Sequence, residues 1–347
     1  MKKSFSDSVL KWYELNGRKN LPWKVNDPYK IWISEIMLQQ TQVKTVIPYY
    51  LNFIKAYPDL KSLSKAKLDD LMLLWSGLGY YRRVKNIHLS AKIISDKYKN
   101  IFPSNYNEIL SLPGIGRTTA SAIATFSGYS NLAILDGNVK RILMRFFGIQ
   151  KQKSIPKHDN ELWEKSVYVT PSENTANFNQ GMMDIGSAIC TRSKPICSLC
   201  PLKQQGCLYK NENVKEIRQK KELYNIDMNL LVLINSKKEI YLEKIIEGKL
   251  WEGLYSSPFF MGLDDKTKWE NSKNLKNKKP HYVISIGHRV TNKKIKINTE
   301  FYFLKNDKKV SLSSENWYNL ANINVGVPKY QQKILDIYRS EYENGNV

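Results

Sequence analysis

Two carboxylates and four cysteines are the side chains whose settings could do chemistry. Glu35 lies in Tyr29–Gln40, a stretch dense in Ile31, Trp32, Ile33, Ile36, Met37 and Leu38. Residues three and four apart meet on a helix face, so Ile31, Trp32 and Leu38 flank the carboxyl. Such bulk takes it partly out of water and raises its pKa, which suits a group that donates a proton and later accepts one. A glutamate on a solvated helix edge is the ordinary alternative. Asp136 follows Leu132-Ala133-Ile134-Leu135 and precedes Gly137-Asn138, where the next helix should open. An aspartate there is first of all an N-cap. It is also well placed as an anion beside a developing positive charge, and its distance from Glu35 in sequence does not choose between the two.

Cys190, Cys197, Cys200 and Cys207 fall in one short window, spaced Cys-x6-Cys-x2-Cys-x6-Cys. A secreted disulfide scaffold would spread its cysteines along the chain. Four thiolates in one loop suit a [4Fe–4S] cluster or a structural zinc, although zinc ribbons show two close pairs and only Cys197 and Cys200 are close here. Free structural cysteines are the remaining alternative.

A third feature binds rather than reacts. Leu112-Pro113-Gly114-Ile115-Gly116 is followed by Arg117-Thr118-Thr119-Ala120 and an alanine-rich helix. Two glycines let backbone amides approach a ligand, and the positive end of the next helix begins there. Together they form a seat for one phosphate, unless the glycines are only turn punctuation.

These residues need elements to hold them. Residues 1 to about 210 read as almost wholly helical, with turns at Tyr57-Pro58-Asp59, Ser76-Gly77-Leu78-Gly79 and Phe102-Pro103-Ser104. A charged run from Lys210 to Glu222 reads as a linker. Met228, Leu230, Val232 and Ile234 then alternate, Asn235 to Lys238 could turn, and Ile240 and Leu242 begin a partner strand. A second period-two run passes through Ile295, Ile297, Thr299, Phe301 and Phe303, and a helix follows Pro328, so the C-terminal part is a separate α+β domain. The net charge of +22 on 347 residues points to a polyanionic partner, nucleic acid before membrane, the alternative being a lysine-rich proteome that lifts every protein's charge. With no signal peptide and no long apolar run, a cytoplasmic protein is expected.

Ile33-Ser34-Glu35-Ile36-Met37-Leu38-Gln39-Gln40-Thr41-Gln42-Val43 resembles the signature helix of the MutY-type adenine DNA glycosylases, which are helix-hairpin-helix, iron-sulfur enzymes. Leu135-Asp136-Gly137-Asn138-Val139 resembles their catalytic aspartate segment, and Trp75-Ser76-Gly77-Leu78-Gly79-Tyr80-Tyr81 their DNA-wedge loop. The likeness runs from about Phe5 to Cys207 and is weaker beyond.

The resemblance implies an all-α helix-hairpin-helix core over 1–210. Within it, about 28–135 form a six-helix module, and 1–27 with 136–210 an iron-sulfur module. A linker at 211–224 and an α+β Nudix-like domain at 225–347 complete the multidomain chain. It implies excision, by a monomer, of adenine mispaired with 8-oxoguanine or guanine in duplex DNA. Adenine is flipped out, Glu35 protonates it at N7, Asp136 steadies the oxocarbenium ion or attacks it transiently, and Asn138 holds both acids and water in place. Gln40 and Tyr80 fill or wedge the space at the mispair. Leu112, Gly114, Gly116 and Thr118 belong to the DNA-binding hairpin. The four cysteines hold a [4Fe–4S] cluster that braces a loop carrying Arg192, Lys194 and Lys203.

Three departures bear on those roles. Endonuclease III-like enzymes place a Schiff-base lysine where this chain has Thr118, so a monofunctional glycosylase is expected rather than a lyase. The last cysteine gap is one residue longer than the family's. In the C-terminal domain, Gly248-Lys249-Leu250-Trp251-Glu252-Gly253-Leu254-Tyr255 resembles the start of the Nudix-like module. There the family's lesion-contacting Phe-Ser-His corresponds to Ile286-Gly287-His288, which keeps the histidine and lacks the serine hydroxyl. The alternatives are an endonuclease III-like glycosylase/lyase and a non-catalytic lesion-binding protein.

Overall fold

A computed structural model describes residues 2–149, 155–209, 223–276, 278–305 and 310–343. All but the last two residues of the expected linker, 211–224, lie outside them. The chain divides into two compact units, one of Met1–Ala66 with Lys85–Val214, the other of Lys67–Val84 with Lys215–Val347.

The described residues of the N-terminal part run α1 (Lys2–Asn16), α2 (Pro28–Leu38), α3 (Val43–Ala56), α4 (Leu60–Ser64), α5 (Leu68–Leu74), α6 (Arg82–Tyr98), α7 (Tyr106–Ser111), α8 (Arg117–Phe126), α9 (Gly137–Phe147), α10 (Ile155–Val169) and α11 (Thr175–Ala188). Several starts are written in the sequence. Asp27 caps α2 by accepting from the amides of Tyr29 and Lys30, with Pro28 in the first turn. Asp59 and Ser62 form a capping box on α4, and Gly148, at φ 66°, ends α9.

In the first unit, α1, α8, α9 and α11 bury Phe5, Val9, Ala122, Leu143, Phe146 and Ile185 together. Phe5 meets Phe146 edge to face at 4.7 Å. Asp184, almost wholly buried on α11, accepts from the backbone amide and guanidinium of Arg18 and so ties the chain after α1 into this core. Among the described residues no helix is long and apolar enough to cross a membrane.

The second unit contains β1 (Tyr224–Asn235), β2 (Glu239–Tyr241), β3 (Glu243–Lys244), β4 (Tyr255–Ser256), β5 (Phe259–Phe260), α12 (Leu263–Ser272), β6 (Tyr282–Val290), β7 (Lys293–Leu304), β8 (Trp317–Asn319) and α13 (Lys329–Tyr338). The main sheet has the order β6-β7-β1-β2-β8, with β5 also on β1. The hairpin expected after Asn235 is present, pairing Ile234 with Ile240. The long strands β1 and β7, however, pair parallel over their whole length.

Both faces of β1 are covered. Met228, Leu230, Val232 and Ile234 pack with Ile334 and Leu335 of α13, while Leu231 and Leu233 pack with Tyr302 and with Trp269 of α12. The alternating pattern therefore marked one covered face of a strand buried on two.

Candidate active site

Burial isolates Glu35. Tyr29, Ile31, Trp32, Ile33, Ser34, Ile36 and Met37 of the same helix are all buried, and Glu35 itself is only partly exposed. No hydrogen bond from the described residues compensates its charge. Loss of water, reinforced by the nearby Asp136 carboxylate, pushes its pKa up to about 7.

Asp136 is held where Glu35 is loose. Its Oδ1 accepts from the amides of Asn138 at 3.0 Å and Val139 at 2.7 Å, and its Oδ2 accepts from the Asn138 side chain at 3.1 Å. The N-cap reading is therefore correct as geometry, and it leaves the carboxylate next to Glu35. Burial draws its pKa upward, while these three bonds and the charge of Arg141 pull against that rise. Two neighbouring acids with unlike support form the arrangement in which one stays an anion and the other carries a proton.

Elements around the pair fix their spacing. Thr118 Oγ1, one residue into α8, donates to the Leu135 carbonyl at 3.1 Å and so binds α8 to the Asp136 segment. Gln39 at the end of α2 donates to the Gly114 carbonyl at 3.4 Å and to Thr119 Oγ1 at 3.3 Å. Gln40 follows with an exposed side chain and φ 58°. A non-glycine residue in the left-handed region is uncommon and signals local constraint.

In the hairpin turn, Gly114 is needed twice. Its φ is +79°, and a Cβ there would stand 2.4 Å from the Asn86 side chain. Gly116 has ordinary extended backbone and open space where a Cβ would go. It leaves the start of α8, which has no side-chain cap, open to an approaching anion. The Leu112 side chain is buried, so it supports the turn from within.

Three residues of this site carry no motif. Arg141, one turn after Asn138, donates through Nη2 to Asn138 Oδ1 at 2.8 Å and through Nε to the Cys190 carbonyl at 2.7 Å. Arg145 donates to Cys190 Sγ at 3.2 Å and to the Thr191 carbonyl at 2.8 Å. Gly186 of α11 lies where a Cβ would come within 2.5 Å of Asn138 Cβ. The (i, i+3) spacing of Asn138 and Arg141 was a readable signal; the Gly186 contact joins residues far apart in the chain.

The four half-buried thiols line one cavity with Ile142, Phe146, Ile189 and Leu202. Burial pushes the Cys200 thiol up, and Cys190, Cys207 and Cys197 are all close enough to add to that rise. The last gap holds a short turn, Lys203–Gln205, closed by Gly206 at φ 92°. Cys207 still faces the cavity. Among the described residues no three His, Cys, Asp or Glu side chains close on a single-ion position. Four thiols facing one cavity are the donor set that a [4Fe–4S] cluster or a structural zinc would take.

Two expected DNA-facing residues lie in the second unit. Tyr80 has φ 51° and is 47% exposed. His288 on β6 is half-buried, its ring 5.9 Å from Trp251 and 5.8 Å from Tyr330. Burial, then Lys329 and Lys333, hold its pKa below the usual histidine value.

Comparisons with known proteins establish the family. Residues 33–166 match the model of the HhH-GPD superfamily of base excision DNA repair proteins. An adenine DNA glycosylase of Buchnera aphidicola subsp. Schizaphis graminum is 42% identical over 346 residues, covering 96% of this chain and 99% of the relative. Among solved structures, a thermostable thymine-DNA glycosylase superposes with a TM-score of 0.55 at 28% identity, covering 60% of this chain and 95% of its own. A trapped endonuclease III–DNA covalent intermediate reaches 0.52 at 21% identity with the same coverage, a likeness of fold. The chain belongs to the adenine DNA glycosylases of the HhH-GPD superfamily, base-excision repair enzymes that hydrolyse N-glycosyl bonds.

Proposed function

We propose that this chain removes adenine opposite 8-oxoguanine, and more weakly opposite guanine, from duplex DNA, without cutting the strand. The observation that carries this reading is the unlike pair: a buried Glu35, without a hydrogen bond from the described residues and with a pKa near 7, beside an Asp136 held by three.

Adenine leaves the stack, at a cost of roughly a few kcal/mol, and comes to Glu35 and Asp136. Protonated Glu35 transfers its proton to N7. The C1′–N9 bond breaks with its electron pair going to the base, and the positive charge spreads over C1′ and the ring oxygen. Asp136, kept in place by Asn138 and its own helix start, stabilises that charge. Glu35, now a carboxylate, takes a proton from water as the hydroxyl adds to C1′, which restores the acid.

Thr118 has no amine to form a Schiff base, and its hydroxyl is engaged with Leu135, in keeping with a glycosylase that has no lyase step. Gln40 and Tyr80, both in left-handed conformations, would enter or flank the opened stack, where an aromatic face adds about 1–3 kcal/mol per base. Cys190, Cys197, Cys200 and Cys207 would hold a [4Fe–4S] cluster, whose part here is to brace the loop with exposed Arg192, Lys194 and Lys203. The second unit, a mixed sheet with α13 on one face and α12 on the other, is compatible with a Nudix-like module that reads the opposing base near His288.

A single-turnover assay on duplexes differing only in the base opposite adenine tests this, with alkali added afterwards to reveal abasic sites. Faster release opposite 8-oxoguanine than opposite guanine, and strand breaks only after alkali, are expected. Equal rates opposite every base, or rapid breaks trapped by borohydride, would refute it.

A further inference from the structure

The Tyr80 turn is an unusual piece of backbone. Gly77 and Gly79 have φ 90° and 81°, and Tyr80, with φ 51°, has its ring half in solvent. A left-handed tyrosine costs about 1–2 kcal/mol and persists only where its surroundings dictate it.

Part of that support is local. Trp75 Nε1 and Arg83 Nη2 both donate to the Gly79 carbonyl, at 3.1 and 2.9 Å. The Gly77 amide donates to the Tyr81 hydroxyl at 3.1 Å. The Arg83 guanidinium lies 5.3 Å from the Trp75 ring and 5.5 Å from the Tyr80 ring.

The rest comes from residues about 250 positions later, within the same compact unit. Ser76 Oγ donates to the Val327 carbonyl at 2.7 Å and accepts from the Val327 amide at 3.3 Å and from Gln332 Nε2 at 3.0 Å. One hydroxyl thereby uses its donor and both acceptor sites. A Cβ on Gly326 would stand 2.7 Å from the Met72 carbonyl, so glycine lets the two backbones touch. One turn earlier on α5, Asp69 pairs with Lys244 at 2.6 Å and receives the Tyr255 hydroxyl at 3.4 Å.

We propose that the Gly326–Val327 segment and α13 clamp the Tyr80 turn through Ser76, so that this region sets the shape of the element that opens the base stack. Ser76 and Gln332 are positioning residues; neither touches the reacting atoms. The effect on base opening rests on the function proposed above, whereas the clamp itself does not.

Hydrogen exchange on the free, full-length protein reads the clamp directly. Gln332→Ala should speed exchange of the amides of residues 77–81 by roughly fivefold to tenfold, the effect of one hydrogen bond. Gly326→Ala, which forces the backbones apart, should speed it more, and Ser76→Thr should keep exchange within about twofold of wild type.

With duplex carrying 2-aminopurine at the adenine position, Gln332→Ala should lower the unstacking fluorescence. The single-turnover rate should fall by about five- to tenfold, with Kd changed less than about twofold. Wild-type exchange in both folded alanine variants would overturn the clamp. Faster exchange with wild-type fluorescence and rate would overturn its effect on base opening. A wild-type chain that released no adenine would instead refute the proposed function, and the exchange result would still decide the clamp.

Discussion

Two titratable side chains withdrawn from water, one in each unit, show what burial does and does not make. Glu35 sits among the apolar side chains of α2 with no hydrogen bond from the described residues, and its nearest electrostatic neighbour is another acid. His288 sits between Trp251 and Tyr330, and its charged neighbours are two lysines. Both environments disfavour charge. In the first, that produces a carboxylic acid able to donate a proton near neutral pH. In the second, it produces a neutral ring packed as part of an aromatic cluster. In the proposed mechanism desolvation becomes catalytic only where a second group is placed to use the result, the role assigned there to Asp136.

The strongest test removes the proton or the anion without changing shape. Glu35→Gln and Asp136→Asn should each lower the single-turnover rate of adenine release by at least about a hundredfold to ten-thousandfold, the usual contribution of a positioned acid or base. Duplex binding should persist. Near wild-type rates in folded variants would erase the distinction drawn between Glu35 and His288.

The same burial should be visible in stability. At pH below 4.5 Glu35 is protonated in both the folded and unfolded chain. Between 4.5 and about 7 the unfolded chain ionises it while the folded chain resists, so folding stability falls as pH rises through this window. The loss reaches about 3 kcal/mol. Glu35→Gln should therefore melt higher than wild type at pH 8 and show no such gain at pH 4. A stability difference between the two that does not change with pH would show that the carboxyl is not buried as described.

How much was legible follows the same division. Glu35, Asp136 and the hairpin glycines could be singled out because their chemistry is local: an apolar helix, an Asp-Gly-Asn helix start, a five-residue turn. The family drawn from those segments was borne out. Arg141 was within reach, because it lies one turn from Asn138 on the same helix, yet a lone arginine has no motif. Gly186 was not, since its reason is a Cβ-to-Cβ approach between α11 and α9. In the second unit the alternating pattern located β1 but hid its second covered face and its parallel pairing with β7, which depend on α12 and on a long crossover. The setting of His288 is made by residues about 40 positions to either side.

His288→Phe tests the packing half of the comparison. A phenyl ring should keep the contacts with Trp251 and Tyr330, leaving the thermal midpoint within about 4 °C, the shift of a 1 kcal/mol change in a domain this size. If His288 also contacts the opposing base, the preference for 8-oxoguanine over guanine should fall by up to about tenfold, the worth of one hydrogen bond. A large loss of stability with unchanged preference would make the residue structural alone.

The smallest effect expected is a gain. Gly287 lies on the exposed face of β6 opposite Lys296, has no left-handed φ, and has open space where a Cβ would be. The strand therefore does not need glycine at that position. Gly287→Ser should be accepted without loss of stability and would present a hydroxyl on the outward face, opposite the face that carries His288. If that face meets the opposing base, the ratio of single-turnover rates opposite 8-oxoguanine and guanine should rise by roughly twofold to tenfold, the range of one added hydrogen bond. A folded variant with an unchanged ratio would mean that this outward face of β6 does not meet the opposing base.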